Sequence, residues 1–239
     1  MSNMLKGLLK EGASEARVEL TDIQLDKFEK YYEFLIEKNK VMNLTAITDE
    51  REVVYKHFVD SIALIPKMDL KESKIIDVGT GAGFPGIPLA IVTENSEFVL
   101  MDSLNKRVNF LNEVIKICEL KNVSVIHARA EELGRNIKYR EKFDVCVSRA
   151  VANMSTLLEY CVPFVKVGGV FVSYKSGDIQ EELMAADNAQ KQLFCKKKNI
   201  IKFSLPNTDI HRSFVIFEKT KELNKKYPRQ GGKPKKSPL

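Results

Sequence analysis

From residue 73 onward, short apolar runs alternate with segments whose apolar residues recur at helical spacing. The runs are KIIDV, EFVLMD, VSVIHA, FDVCVS and GVFVSY, and each has the length of a single β-strand. The segment between the second and third runs has a helical stripe of Leu104, Val108, Leu111 and Ile115. Neighbouring parallel strands require a crossover connection, which is usually a helix. The alternation therefore predicts an α/β fold with a parallel sheet and helices on both faces.

Two further apolar runs, IIKFSL and RSFVIFE, complete the predicted sheet. Only PNTDIH joins them, which is too short for a crossover helix, so this pair should form an antiparallel hairpin at a sheet edge. A charged helix is predicted near residues 178–194, and NMSTLLEYCVPFVKVGG should be helical, kinked at Pro163 and closed by Gly168 and Gly169. Together these segments predict a Rossmann-like core over residues 69–219, with a mostly parallel seven-stranded sheet.

Residues 1–68 are predicted to form an N-terminal helical extension. Thr21 and Gln24 have the spacing of a capping box, and an apolar stripe at helical spacing follows them. A second helix should end at Pro66.

Charge is concentrated at the C-terminus. The 239 residues carry a net charge of +6, yet residues 219–239 hold eight Lys or Arg against one Glu, a balance of +7 that leaves about −1 for the rest. We call residues 220–239 the basic tail; it is poor in apolar residues and cannot pack well alone. Two interpretations stay open, a frayed solubilising terminus and an arm that contacts phosphates.

Several classes of protein are disfavoured by composition. No run of eighteen apolar residues is present, so no membrane span is expected, and the charged start lacks a signal-peptide core. The four cysteines are widely spaced without a CxxC pair, and the three histidines lie far apart. We therefore expect reduced, buried thiols and no metal site in a cytoplasmic protein. We also expect a monomer.

The first predicted strand runs into a loop with four glycines in the eight residues 79–86. Part of it matches GxGxxG, and Asp102 lies twenty-one residues after Gly81, where a dinucleotide site places its ribose acid. Asp77, however, would repel a pyrophosphate, and Gly79 comes earlier than that fingerprint needs. The pattern favours S-adenosylmethionine (SAM) over a dinucleotide or a plain tight turn.

Each residue of this pattern has a predicted role. Gly79 and Gly81 would let the backbone approach the ligand closely, and the free amides of the following helix, which Pro85 should begin, would form an anion site. Asp77 could hold a ligand amine. Asp102 would accept hydrogen bonds from the ribose hydroxyls or cap the helix that begins near Leu104.

The segment after the fourth strand should face the methyl group. It reads Ser-Arg-Ala-Val at 148–151 and lacks the Asn- or Asp-Pro-Pro-aromatic motif of amino methyltransferases. A Pro-Cys nucleophile for pyrimidine carbon is also absent. An acceptor that is already nucleophilic remains, such as guanine N7, for which alignment of the reactants would be the main source of catalysis. No residue is assigned to proton transfer.

Several motifs together resemble one family. "NLTAI", "HFVDSI", "DVGTGAGFPGIPLAI", "SRAVA", "YKSG" and "YPRQGGKPKKSPL" occur in this order, and the likeness runs from about residue 20 to 239. The chain resembles the bacterial 16S ribosomal RNA guanine-N7 methyltransferases, the glucose-inhibited division protein B family. The resemblance implies SAM-dependent methylation of a single guanosine of the small-subunit RNA, number 527 in the usual numbering, in the 530 loop. It also implies cofactor contacts at Gly79, Phe84, Ala130, Glu131 and Arg149.

The resemblance further suggests residues that orient the acceptor base, namely Arg149, Lys175, Asn43 and His57. A guanidinium beside a sulfonium is unfavourable, so Arg149 should address the cofactor carboxylate or the RNA. Ser176 is an insertion relative to the family's usual Tyr-Lys-Gly, which leaves the backbone near Lys175 uncertain. Asn43 and Thr45 could instead close a turn, and His57 could pair with Asp60 on one helix face.

The RNA target must be unpaired or pulled from its stack, because N7 lies in the deep major groove of A-form RNA. Three other activities stay open: a small-molecule methyltransferase on the same fold, an NAD-type oxidoreductase, and a SAM-binding regulator without turnover.

Overall fold

The computed structural model describes residues 2–150 and 152–239, which form a seven-stranded sheet flanked by helices. The strands are β1 Lys74–Val78, β2 Glu97–Asp102, β3 Val123–His127, β4 Phe143–Ser148, β5 Val165–Ser176, β6 Cys195–Ser204 and β7 His211–Lys219. Their order across the sheet is β3-β2-β1-β4-β5-β7-β6. The first five strands are parallel, whereas β7 is antiparallel to both β5 and β6. The predicted α/β fold and its edge hairpin are confirmed.

The helices connect the strands and form the N-terminal extension. Those of the extension are α1 Ser2–Glu15, α2 Asp22–Met42, α3 Glu50–Val53, a π-helix Val54–Val59, α4 Asp60–Ile62 and a 3₁₀-helix Ile65–Lys67. The others are α5 Gly86–Val92, α6 Asn105–Ile117, α7 Ala130–Leu133, α8 Met154–Cys161, a 3₁₀-helix Val162–Phe164, α9 Gln180–Ala185, α10 Asp187–Gln192 and α11 Lys233–Lys236. None of the described helices is long and apolar enough to cross a membrane.

The extension packs on α5, α6 and the glycine loop through an aromatic core. Phe28, Tyr31 and Phe58 are fully buried, and the Tyr31 ring also lies 5.5 Å from the Phe84 ring of the glycine loop. The predicted capping box at the start of α2 is confirmed, because Thr21 accepts from the Gln24 amide and Gln24 from the Thr21 amide. These contacts fix the π-helix against the loop after β1.

Two helix predictions were wrong in extent. The chain leaves α8 through the 3₁₀-helix at Pro163 and begins β5 at Val165, so Gly168 and Gly169 lie inside a strand. Gly169 is needed there because a Cβ would meet the carbonyl oxygen of Asp144 at 2.7 Å. The charged helix near 178–194 is divided into α9 and α10 at the buried Ala186, and both halves pack on α8.

The basic tail is docked on the core, which contradicts the interpretation as a frayed terminus; the interpretation as an arm that contacts phosphates stays a prediction. Arg140 donates to the carbonyl oxygens of Leu223, Asn224 and Tyr227, while Arg135 donates to those of Lys226 and Pro228. Tyr227 and Pro234 are buried. The core thus satisfies the tail's backbone, which the tail could not do for itself.

Candidate cofactor and acceptor cavities

A cavity of about 550 Å³ opens at the carboxyl ends of the parallel strands; we call it the cofactor cavity. Ligands of open α/β sheets bind at this edge. The β1 end contributes Val78 and Gly79, and the β4 end contributes Ser148. The remaining lining comes from the end of β2, the segments after β2, β3 and β4, from α8 and from the tail: Met101, Asp102, Ser103, Arg107, Ala128, Arg129, Ala130, Glu131, Ala150, Ala152, Leu157, Tyr160, Gly232, Lys235 and Lys236.

The glycine loop has the backbone predicted for close approach to a ligand. Gly79 and Gly81 have φ values of +72° and +63°, in the left-handed region that favours glycine. A Cβ at Gly81 would meet nothing within 4 Å, and one at Gly79 would meet only the Ala150 side chain, at 3.7 Å. Space beside the backbone is therefore open for a ligand.

The same loop does not form a phosphate cradle. The N–H groups of Gly79 and Thr80 donate to the carbonyl of Met101, and those of Gly83 and Phe84 donate to the carbonyl of Thr80. The Gly81 N–H donates to Asp102. Because these amides are already paired within the protein, they cannot also bind a pyrophosphate, which argues against the dinucleotide interpretation.

Asp77 fills the position where the predicted anion site would lie. Its Oδ2 accepts from the Gly86 amide at 2.8 Å and from the Thr80 hydroxyl at 2.7 Å, and the residue is fully buried. The expectation of an anion site at the start of α5 was wrong, because this carboxylate occupies it; Pro85 also precedes the helix. Asp77 is not part of the cofactor-cavity lining. Burial raises the pKa of Asp77 to about 7.

Asp102 joins the loop to the cavity. It is 3% exposed, its Oδ2 accepts from the Gly81 amide at 3.0 Å, and its Oδ1 accepts from the Leu104 amide at 2.9 Å. Arg107 lies within 3.3 Å of Oδ2. Oδ2 therefore already has two donors, whereas Oδ1 keeps a further lone pair, so Asp102 can still accept a hydrogen bond from a ligand in the cavity.

Two cavity walls come from distant parts of the chain. At the start of α7, the N–H groups of Ala130 and Glu131 have no acceptor among the described residues, so they can meet a ligand's polar edge. The tail contributes Gly232, Lys235 and Lys236 to the lining of the same cavity. Sequence reasoning placed the tail only against RNA and missed its part in this cavity.

The tail is held there by a buried ion pair. Arg229 donates from Nε and Nη2 to both carboxylate oxygens of Glu159, a fully buried residue of α8, at 2.7–3.1 Å. The backbone N–H of Arg229 adds a bond to the same carboxylate at 2.7 Å. The Thr156 hydroxyl donates to the carbonyl of Pro234. α8 therefore anchors the chain on both sides of Gly232.

A second cavity of about 610 Å³ adjoins the first; we call it the acceptor cavity. Ala150 and Ala152 line both cavities. The other lining residues are largely polar and come from the extension, the segment after β4, β5, α9 and β7: Ile47, Lys56, His57, Asp60, Arg149, Asn153, Tyr174, Lys175, Ser176, Glu182 and Arg212. A ligand in one cavity can thus face a ligand in the other across the segment after β4.

Arg149 ties the extension to the sheet. Its Nη1 donates to Asp60 Oδ2 at 2.8 Å and to the Lys56 carbonyl at 3.0 Å, and its Nη2 lies 3.2 Å from His57 Nδ1. The guanidinium also lies over the Phe84 ring, 5.0 Å from its centroid. Arg149 thus uses three of its five N–H donors within the protein, and it lines the acceptor cavity rather than the cofactor cavity.

His57 lies in the π-helix and is held on both ring nitrogens. Nε2 is 2.8 Å from the Thr45 hydroxyl, and the ring stacks on Phe84 with centroids 4.5 Å apart. Burial, and then the adjacent Arg149 charge, lower the pKa of His57 to about 3. The imidazole is therefore neutral at physiological pH. Phe84 itself packs in the extension core and lines neither cavity.

The remaining predicted residues separate into two groups. Lys175 lines the acceptor cavity and binds Glu182 and the carbonyl of Ala152. Asn43 has a left-handed backbone at the end of α2, with φ 50°, and lines neither cavity. The turn there is closed chiefly by Asn39, whose side chain binds the backbone of Leu44 and Thr45.

Asp60 is a shared acceptor that sequence reasoning described incompletely. Instead of bonding His57 directly, it accepts from Arg149 Nη1 and, on its other oxygen, from Arg212 Nε at 3.0 Å. Arg212 and Glu182 were missed altogether, because no motif surrounds them in the sequence. Among the described residues, no cluster of His, Cys, Asp and Glu could hold a metal ion, and all four cysteines are buried and free.

Comparison with known proteins identifies the relatives of the chain. The GidB family, described as rRNA small subunit methyltransferase G, matches residues 24–213. The ribosomal RNA small subunit methyltransferase G of Lachnoclostridium phytofermentans is 52% identical over 230 residues, covering 96% of this chain and 95% of that protein. The protein of the same name from Acetivibrio thermocellus is 51% identical over 235 residues, covering 98% and 97%.

Solved structures of similar fold are more distant in sequence. M. jannaschii TYW2 in complex with AdoMet aligns with a TM-score of 0.52 and 19% identity, over 67% of this chain and 76% of that one. The YcgJ protein from Bacillus subtilis aligns with a TM-score of 0.53 and 10% identity, over 69% and 100%. At such identities the likeness concerns the fold alone.

Proposed function

The chain belongs to the GidB family of rRNA small subunit methyltransferases, which are SAM-dependent enzymes, and we propose that its acceptor is N7 of a single guanine. The proposed nucleotide is guanosine 527 of the 16S RNA, in the 530 loop. One observation supports a base as acceptor: the polar acceptor cavity and the cofactor cavity share Ala150 and Ala152. A base flipped into the acceptor cavity would therefore face the methyl group of SAM bound in the cofactor cavity.

The residues of the cofactor cavity fit SAM better than a dinucleotide. Gly79 and Gly81 leave room beside the loop, while five loop amides, those of residues 79–81, 83 and 84, are already paired. We assign Asp102 to the ribose hydroxyls and the free amides of Ala130 and Glu131 to the adenine edge. When bound, SAM supplies a methyl group on a positively charged sulfur.

Asp77 stabilises the glycine loop of this site without lining the cofactor cavity. It holds the amide of Gly86 and the hydroxyl of Thr80, so it fixes the loop and excludes a phosphate from the start of α5. Its Oδ1 is buried without a hydrogen-bond partner among the described residues. Because Asp77 does not line the cofactor cavity, we assign it to the shape of the loop rather than to direct contact with the cofactor.

The acceptor cavity needs no strong base for this reaction. Guanine N7 has a free lone pair, so the protein's task is to align it with the methyl group, and fixed alignment can contribute roughly 7–11 kcal/mol. His57 is neutral, and Arg149 is held by Asp60, the Lys56 carbonyl and His57, which restricts the motion of this wall. We assign both residues to holding the cavity's shape, with Phe84 packed between them.

The basic tail adds affinity for RNA from a docked position. Lys225, Lys226 and Lys233 are exposed on its surface, and such charges increase affinity in a salt-dependent, sequence-independent way. We further propose that the enzyme acts in the cytoplasm as a monomer; light scattering at the assay concentration tests the latter.

A methyl-transfer assay with purified components tests the proposal. Radiolabelled SAM is incubated with the enzyme and small ribosomal subunits from cells that lack it, and the RNA is then digested to nucleosides. The label should appear as N7-methylguanosine in 16S RNA. A label in another nucleoside would reject N7, and a label only in small molecules would favour a small-molecule methyltransferase.

A further inference from the structure

The acceptor cavity is lined by two carboxylates that differ in what their oxygens already bind. Asp60 is 1% exposed and gives one oxygen to Arg149 and the other to Arg212. Glu182 gives Oε1 to Lys175 at 2.6 Å, whereas its Oε2 has no hydrogen-bond partner among residues 2–150 and 152–239. Because Asp60 is also almost fully buried, whereas the Glu182 side chain is 25% exposed and its Oε2 keeps both lone pairs, Glu182 is the carboxylate more accessible to a ligand in this cavity.

Lys175 places a donor directly beside that acceptor. Its ammonium donates to Glu182 Oε1 and, at 2.9 Å, to the carbonyl of Ala152, a residue that lines both cavities. An ammonium has three N–H donors, so one remains. The pair therefore offers one donor and one acceptor side by side, and its lysine side chain is only 12% exposed.

This order of donor and acceptor is complementary to the Watson–Crick edge of guanine and not to that of adenine. The Watson–Crick edge of guanine presents an accepting O6 next to donating N1–H and N2–H groups. Adenine presents a donating N6 amine next to an accepting N1. With adenine, the ammonium would face an amine and the carboxylate a lone pair, so both contacts would be repulsive.

Methylation at N7 also restricts which edge can be read. The commonest protein contact to guanine pairs an arginine with O6 and N7 together, but a donor on N7 would occupy the lone pair that must attack the methyl group. The Watson–Crick edge lies across the ring from N7 and leaves that lone pair free. An unpaired target exposes this edge, because no base partner covers it.

We propose that Glu182 and Lys175 select guanine at the acceptor cavity, Glu182 Oε2 accepting from N1–H and N2–H while the Lys175 ammonium donates to O6. The proposal rests on the proposed function, since it concerns the base that this cavity admits. It makes Glu182 a specificity-determining residue of the reaction.

The test compares Glu182→Gln with Glu181→Gln, a matched change at an exposed neighbour that lines neither cavity. Small subunits are reconstituted with 16S RNA that carries guanine or inosine at the methylated position. Inosine lacks only the N2 amine, so wild-type kcat/KM should fall about tenfold. Glu182→Gln should lower kcat/KM on guanine about tenfold to hundredfold, and should reduce the guanine preference over inosine to about twofold or less.

Other results have distinct meanings. If Glu182→Gln slows both RNAs by the same factor, so that the wild-type preference persists, Glu182 supports the fold only and the proposal is overturned. The same holds if Glu181→Gln has an equal effect. Should wild-type enzyme leave the guanine RNA unmethylated, the proposed function itself fails. Unchanged SAM affinity and melting temperature of Glu182→Gln would show that the variant is folded.

Discussion

The ion pair between Arg229 and Glu159 should decide whether the basic tail stays docked on the cofactor cavity. Glu159 is fully buried, and Arg229→Ala removes all its side-chain donors while leaving the backbone N–H bond at 2.7 Å. Breaking a buried pair typically costs about 3–5 kcal/mol. The remaining N–H bond and the partial exposure of Arg229 reduce this, so we expect about 2–3 kcal/mol.

A cost of that size should appear as local opening. Each 1.4 kcal/mol is a tenfold change, so the undocked population should rise about 30- to 150-fold. Hydrogen exchange followed by mass spectrometry measures this, because the amides of Lys235, Lys236 and Ser237 are hydrogen-bonded only within the docked tail. Their exchange should accelerate by the same factor, while peptides of β4 stay protected. SAM affinity should fall if the undocked form becomes dominant, because Gly232, Lys235 and Lys236 leave the cavity wall.

Lys225→Ala is the matched control. It removes the same charge from the tail, but Lys225 is exposed and its side chain makes no hydrogen bond or ion pair among the described residues. Its exchange pattern and SAM affinity should remain those of the wild type, while RNA binding should lose part of its salt dependence. If Arg229→Ala exchanges within about threefold of the wild type, or if both variants behave alike, the reasoning about the buried pair is refuted.

Three further variants test other parts of the site. Asp102→Asn should weaken SAM binding by about tenfold to hundredfold in calorimetry, because a charged acceptor is lost; unchanged affinity would remove Asp102 from the site. Gly86→Ala should lower the free energy of unfolding by about 3 kcal/mol in urea, since its Cβ would lie 2.2 Å from the Leu100 side chain. The control Gly7→Ala has nothing within 4 Å of its Cβ and should instead stabilise the protein by up to about 1 kcal/mol. Similar effects of the two substitutions would contradict the packing described around Gly86. The pKa of His57 is about 3 in the folded chain and about 6.5 in the unfolded chain. Between these pH values the unfolded chain binds more protons, so the free energy of unfolding should fall on acidification, by up to about 1.4 kcal/mol per pH unit from this residue. His57→Gln should flatten that slope between pH 6.5 and 4.5, and an unchanged slope would contradict a neutral buried imidazole.

Strands and the hairpin could be predicted because their signals are local. Each apolar run is short, and PNTDIH leaves no room for a crossover, so both features follow from neighbouring residues. The start of β5 could not be predicted in this way. Gly168 and Gly169 read as a helix end, but Gly169 is required by the backbone of β4, which approaches it from a distant part of the chain.

The same difference between local and long-range signals applies to the candidate site. Asp102 and the glycine loop carry their own pattern, whereas the pairing of loop amides that excludes a phosphate depends on Asp77, Asp102 and the carbonyl of Met101 together. Glu159 and Arg229 are seventy residues apart, and a basic tail does not reveal which buried carboxylate it will meet. Arg149 was expected at the cofactor carboxylate or the RNA, but its neighbours come from the π-helix and α4, whose position only tertiary packing sets.

The most direct measurement is a map of N7-methylguanine in 16S RNA from three strains: one with the wild-type chain, one with the chain deleted, and one in which the deletion is complemented by Asp102→Asn at equal protein level. One guanosine of the 530 loop should be methylated in the first, unmethylated in the second, and less methylated in the third when SAM is limiting. Full methylation of that guanosine in the deletion strain would contradict the assignment of this chain to the reaction.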